Sequence, residues 1–131
     1  MDLVCELSKK IIKPEDPEFN GVAPEIMRDR RYYPYFKDCI GAIDGVHIPA
    51  SICDDEKTPY INRKGFPSQN VMAVCNFDMQ FIFVCAGWEG SAHDTRVLQS
   101  ILRNPNMNFP HPPPCNIFNF SQNFHFNSCF K

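Results

Sequence analysis

One aspartate set inside an apolar run constrains this chain more than any other feature. Gly41-Ala42-Ile43-Asp44-Gly45-Val46-His47 places a carboxylate among apolar residues and follows it with glycine and histidine. A carboxylate drawn toward a core is costly unless a cation or hydrogen-bond donors compensate it, so Asp44 asks for a partner. Gly87-Trp88-Glu89-Gly90-Ser91-Ala92-His93-Asp94 supplies a second signal of the same kind, with Asp94 falling 50 residues after Asp44. Two carboxylates of this sort are oxygen ligands for a hard divalent cation, which points to phosphodiester chemistry. The alternatives are local: Asp44 as a turn residue before glycine, and Asp94 as a helix-capping acid.

The surrounding pattern is that of an α/β chain. Leu3, Val4, Leu7 and Ile11 recur at helical spacing before Pro14, so Asp2 to Ile12 reads as an amphipathic helix. Lys13 to Pro24 is rich in proline and acid and reads as a surface connection. Lys37 to Ile52 reads as a strand carrying Asp44, and Asn70 to Asn76 and Phe81 to Ala86 read as a hairpin turning at Phe77-Asp78-Met79-Gln80. Val97, Leu98, Ile101 and Leu102 then define one face of a helix packed on those three strands. Ser91 and Asp94 have the spacing of a capping box for that helix, so Ser91→Ala is expected to cost about 1 kcal/mol. From about Pro105 onward the Pro-rich and then Phe/Asn-rich composition predicts disorder.

A chain of 131 residues, 44% apolar, holds one domain or part of one. Its formal net charge of −2 gives no global field toward nucleic acid, so DNA contact needs a local patch or a metal. Arg63-Lys64-Gly65 is one such patch, to be weighed against an ordinary solvated turn. The first residues lack a basic region followed by an apolar core, and the apolar run Phe81 to Trp88 is too short to cross a bilayer, so no membrane association is expected. Seven cysteines without a Cys-x-x-Cys pair fit a reducing intracellular compartment, with Cys39, Cys75 and Cys85 read as small buried hydrophobes. Tyr32, Tyr33, Tyr35, Phe36 and Trp88 read as core packing. His47 and His93 flank the two acids and are either structural or positioned for water or phosphate. His111-x₃-Cys115 and His125-x₃-Cys129 have zinc-like spacing but lack the hydrophobic framework of a zinc finger.

The run from Tyr33 to Pro49 resembles the opening of the nuclease domain of Harbinger-type transposases and of the domesticated nucleases derived from them, the plant forms especially. Three more blocks follow in the family's order: Asn62-Arg63-Lys64-Gly65 with Ser68-Gln69-Asn70-Val71, Phe83 through Leu98, and Asn108-Phe109-Pro110-His111-Pro112-Pro113-Pro114. The resemblance implies a ribonuclease-H-like α/β fold of the DDE superfamily, in which three acids bind Mg²⁺ or Mn²⁺ for DNA strand cleavage. It also implies a nuclear protein that acts on DNA beside a Myb-like DNA-binding partner. Asp44 maps onto the first acid, and Asp94 falls on a motif position of the family. The second acid is expected after the Pro-rich segment in an Asp-Ala-Gly-Tyr-Pro type strand and the third, a Glu, beyond it; residues 115–131 contain no Asp or Glu.

These readings predict a helix and linker over 1–23, a partial nuclease domain over 24–114 and an atypical tail over 115–131. The fold expected is an incomplete ribonuclease-H-like domain of three strands and a following helix with a disordered carboxy-terminal tail. The site expected is Asp44 as catalytic metal ligand, Asp94 as a further metal ligand, and Arg63 and Lys64 on the nucleic acid. A truncated chain with weak or no nuclease activity of its own follows, the alternative being a non-catalytic derivative that binds a protein partner.

Overall fold

The computed structural model describes residues 2–111 and the backbone of 129 and 130. Helix α1 spans Asp2–Ile11, as the helical spacing requires, and its Leu3, Val4, Leu7 and Ile11 are all exposed. A short helix α2, Pro24–Met27, starts with proline in its first turn, where the missing N–H costs nothing. Three strands follow, β1 (Gly41–Pro49), β2 (Ser68–Cys75) and β3 (Phe81–Glu89), then α3 (Asp94–Arg103). They form the antiparallel sheet and following helix that the sequence pattern predicts. A two-residue strand β4, Cys129–Phe130, extends the order to β3-β2-β1-β4 by pairing antiparallel with Gly41 and Ala42. The rest of the tail expected to be disordered lies outside the described residues.

The chain divides into two compact units, one of Met1–Ile43, Val74–Phe83 and Pro110–Lys131, the other of Asp44–Ala73 and Val84–Phe109. In the first, Ile26, Cys39, Ile43, Val74, Ile82 and Phe83 are buried. Gly41 runs so close to the Cys75 carbonyl that a Cβ there would overlap it. The turn between β2 and β3 is built by Asn76, whose Oδ1 accepts from the N–H of Asp78 (3.1 Å) and of Gln80 (2.9 Å). Two sequence expectations fail in this unit. Tyr32, Tyr33 and Tyr35 are exposed rather than core residues, because this segment folds back on itself through Tyr32 edge-on to Phe36 and Arg31 over the Tyr32 ring. Cys39 is buried but disulfide-bonded, not a lone thiol.

The second unit has a core of Val71, Met72, Cys85, Ala92, Val97, Leu98, Ile101 and Phe109. Helix α3 buries Val97, Leu98 and Ile101, the face expected from their spacing. Each such side chain contributes about 1.5–3 kcal/mol by leaving water. On β2 the alternate residues Ser68, Asn70 and Met72 are all fully enclosed, so the strand carries two polar side chains into the interior before its apolar stretch. The disorder expected from Pro105 does not begin there. Asn104 Oδ1 accepts from the Asn106 N–H at 3.1 Å, which closes a helical turn over Pro105–Met107, and Phe109 is buried.

Cys85 is enclosed and burial pushes its thiol up, whereas Cys5 and Cys53 are exposed. A thiol reagent at neutral pH is expected to label Cys5 and Cys53 in the native chain and to reach Cys85 only after denaturation. Peptide mass mapping of labelled protein checks this; rapid native labelling of Cys85 would contradict the packing of β3.

Candidate active site

The segment between β1 and β2, residues 50–67, is tied at its base by Ala50 N–H donating to the Pro67 carbonyl at 3.1 Å. Its last turn is organised by Asn62, a buried residue. Asn62 Oδ1 accepts from the Lys64 N–H (2.9 Å) and its Nδ2 donates to Ser68 Oγ (3.0 Å). Gly65 completes the turn at φ +82°, a region that glycine enters without strain. The result is a fixed loop that presents Arg63 and Lys64 outward, and the Arg63 guanidinium donates to the His93 ring, 2.7 Å from Nε2.

From the other side, β3 ends in a turn that delivers the start of α3. Gly90 is wedged where a Cβ would overlap the backbone oxygens of Tyr60 and Ser68, and the Ser91 N–H donates to the Pro59 carbonyl at 3.1 Å. That anchoring moves the helix start. The residue before the first helical turn is His93, whose carbonyl accepts from the N–H groups of Arg96 and Val97, and no side chain caps the helix. The capping box expected from Ser91 and Asp94 is therefore absent, and with it the reason for Ser91→Ala to destabilise α3. Asp94 is turned to a different task. Its Oδ1 accepts from Asn70 Nδ2 at 2.6 Å, and the same nitrogen donates to the Ala92 carbonyl at 3.0 Å.

Asp94 lies against β1 at Gly45, where the strand has no side chain. A Cβ on Gly45 would overlap Asp94 Oδ1 and come within 3.1 Å of Asn70 Oδ1. The second acid is thus seated against Gly45, the residue that follows Asp44. Asp44 is exposed on the strand and its Oδ1 accepts from the Gly45 N–H at 2.9 Å. Among the described residues neither carboxylate is ion-paired with a lysine or arginine, and no third acid, histidine or cysteine forms a three-ligand cluster with them.

A polar cavity of about 100 Å³ opens beside Asp94, lined by His47, Arg63, Gly90, Ser91, Ala92 and His93. His47 Nδ1 lies 3.3 Å from Ser68 Oγ, so both histidines named from the sequence sit at this cavity. Lys64 is exposed and does not line it. Trp88 is half-buried, with the Arg96 guanidinium 5.8 Å from its ring centre. The zinc-like pattern of the tail falls largely outside the described residues.

Sequence reasoning named Asp44, Asp94 and Arg63 but missed Asn70. It is fully enclosed, its Nδ2 serves two acceptors, and its Oδ1 has no donor among the described residues. The available signal was a polar pair, Ser68 and Asn70, at strand period ahead of Met72.

Comparison with known proteins bears on what such a site does. The family described as DDE superfamily endonuclease matches residues 43–112, which contain Asp44, Arg63, Asn70 and Asp94. A rat protein called "Putative nuclease HARBI1" is 38% identical over 60 residues, which is 46% of this chain and 17% of the relative. Its mouse and human counterparts are 37% and 35% identical over stretches of the same length. The chain thus matches under a fifth of the length of these curated relatives. No solved structure matches it.

Proposed function

Because the chain belongs to the DDE superfamily endonucleases, we propose that Asp44 and Asp94 hold a divalent cation, Mg²⁺ or Mn²⁺, against a DNA phosphodiester. What supports this reading is the family match over residues 43–112, which include both acids, together with the fixed seat of Asp94 against the backbone of β1 at Gly45. The donors present fit such an ion. Both carboxylates lack a cationic partner among the described residues, and hard divalent ions take oxygen ligands. A buried acceptor, Asn70 Oδ1, is left without a donor among the described residues on the side chain that holds Asp94. A bound cation of this kind supplies Lewis-acid polarisation of the phosphodiester and eases deprotonation of water.

The chain's own residues have defined parts in that reading. Asp44 and Asp94 bind and orient the ion. Arg63 faces the cavity beside Asp94 and contacts a phosphate oxygen of the DNA backbone, while Lys64 on the same turn adds a second, more peripheral contact. His47 and His93 border the space a phosphate would fill. The whole reaction, a nuclear location and a Myb-like DNA-binding partner belong to the same proposal. A net charge of −2 supports the need for a partner or a metal to bring DNA to this surface.

Plasmid nicking tests it. Supercoiled DNA incubated with the full chain and Mn²⁺ is expected to be nicked slowly, with the activity absent in EDTA and in Asp44→Ala. Metal-dependent nicking that survives in Asp44→Ala would rule the site out. Binding to a partner without nicking at any metal concentration would favour the non-catalytic derivative.

A further inference from the structure

Asn70 is built into the site more rigidly than either acid. Both hydrogens of its Nδ2 face acceptors, Asp94 Oδ1 at 2.6 Å and the Ala92 carbonyl at 3.0 Å. Those two acceptors fix the amide, because the reversed orientation would set its oxygen against both of them. Oδ1 must then face the remaining direction, toward the bare backbone of Gly45, where it finds no donor among the described residues. A fully enclosed carbonyl without a partner costs about 1–3 kcal/mol. A residue kept only for packing would not leave its oxygen so placed, and leucine fills that volume without the cost.

We infer that Asn70 is a positioning residue for the cation: its Nδ2 holds one oxygen of Asp94 so that the other is directed at the ion. This rests on the proposed metal site and extends it to a residue that is not an acid. The strand that carries Asn70 and the helix start that carries Asp94 are thereby locked through one amide, which also grips the Ala92 carbonyl of the preceding turn. Partners of a ligand that set its orientation matter to metal affinity nearly as much as the ligand itself.

Three full-length proteins decide it: the wild type, Asn70→Ala and Asn70→Asp. Mn²⁺ binding is followed by paramagnetic relaxation of water protons, and folding by amide NMR spectra and thermal melting. Asn70→Ala is expected to remain folded and to bind Mn²⁺ about 10- to 100-fold more weakly. Asn70→Asp puts a carboxylate against Asp94, so it is expected to melt lower than wild type in EDTA and to recover most of that loss in Mn²⁺. A purely structural asparagine would give no such metal-dependent rescue. Equal Mn²⁺ affinity in wild type and Asn70→Ala would overturn the inference and leave the metal site standing. Should Asn70→Ala not fold, the comparison of Asn70→Asp with and without Mn²⁺ decides alone, absence of rescue counting against the inference. No Mn²⁺ binding by the wild type would overturn the metal site itself. The metal-free coupling of Asn70 to Asp94 is read separately, from movement of the Asn70 side-chain amide resonances in Asp94→Asn.

Discussion

Gly90→Ala is expected to destabilise the chain by about 3 kcal/mol, at the upper end of what overpacking costs. The added Cβ meets the backbone oxygens of Tyr60 and Ser68 and the Ser68 hydroxyl. None of these is the far end of a flexible side chain. Tyr60 belongs to a turn held by its own N–H to the Lys57 carbonyl, and Ser68 begins β2 fully enclosed. Relief therefore requires the turn after β3 to lift away, which also breaks the bond from Ser91 N–H to the Pro59 carbonyl. Since that turn sets where α3 starts, the loss spreads to Val97, Leu98 and Ile101. Denaturant unfolding of the two proteins measures the difference; a change under 1 kcal/mol would mean that Gly90 is not wedged as described.

Gly45→Ala is expected to abolish divalent-metal binding while leaving the chain folded. Here the new methyl meets Asp94 Oδ1, a side-chain atom that can move, so the backbone of β1 is spared. Moving it breaks the 2.6 Å bond to Asn70 and leaves a buried N–H unsatisfied, at a cost of about 1–3 kcal/mol. The site suffers more than the fold, because the displaced carboxylate loses the seat that Gly45 and Asn70 give it. Mn²⁺ relaxation measurements on Gly45→Ala, with amide NMR as the control for folding, read both effects at once. Wild-type Mn²⁺ binding in this variant would show that the closeness of Gly45 and Asp94 has no part in holding the ion.

Much of this site is legible in the sequence because its chemistry is carried by residue types that are costly to place elsewhere. An acid after Ala-Ile and another after Ser-Ala-His stand out against apolar runs, and the glycines beside them mark close approaches. The hairpin and the buried face of α3 were equally plain, since period 2 and period 3.6 are direct consequences of strand and helix geometry. The capping box failed for a physical reason that no spacing rule contains. The Ser91 N–H is engaged by Pro59, a residue 32 positions earlier, and this tertiary bond shifts the helix start to His93. Asn70 was passed over because an asparagine in a strand has no periodic or compositional signature of its role. Only its complete enclosure and the two acceptors on Nδ2 reveal it. The tyrosines at 32, 33 and 35 misled in the opposite sense, for aromatic residues imply burial only where a surface exists to cover them.

Asp44 and Asp94 share one cation in the proposed site, and a Mn²⁺ titration of the full chain followed by amide NMR tests that most directly. Paramagnetic broadening is expected to appear first at Asp44, Gly45, Asn70 and Asp94. The dissociation constant is expected in the millimolar range, since two carboxylates leave most oxygen positions to water. The exposed acids Asp54, Asp55 and Glu56 serve as an internal control for unspecific attraction of the ion. Broadening at 54–56 with none at Asp44 and Asp94, or no broadening at saturating Mn²⁺, would contradict a shared metal site.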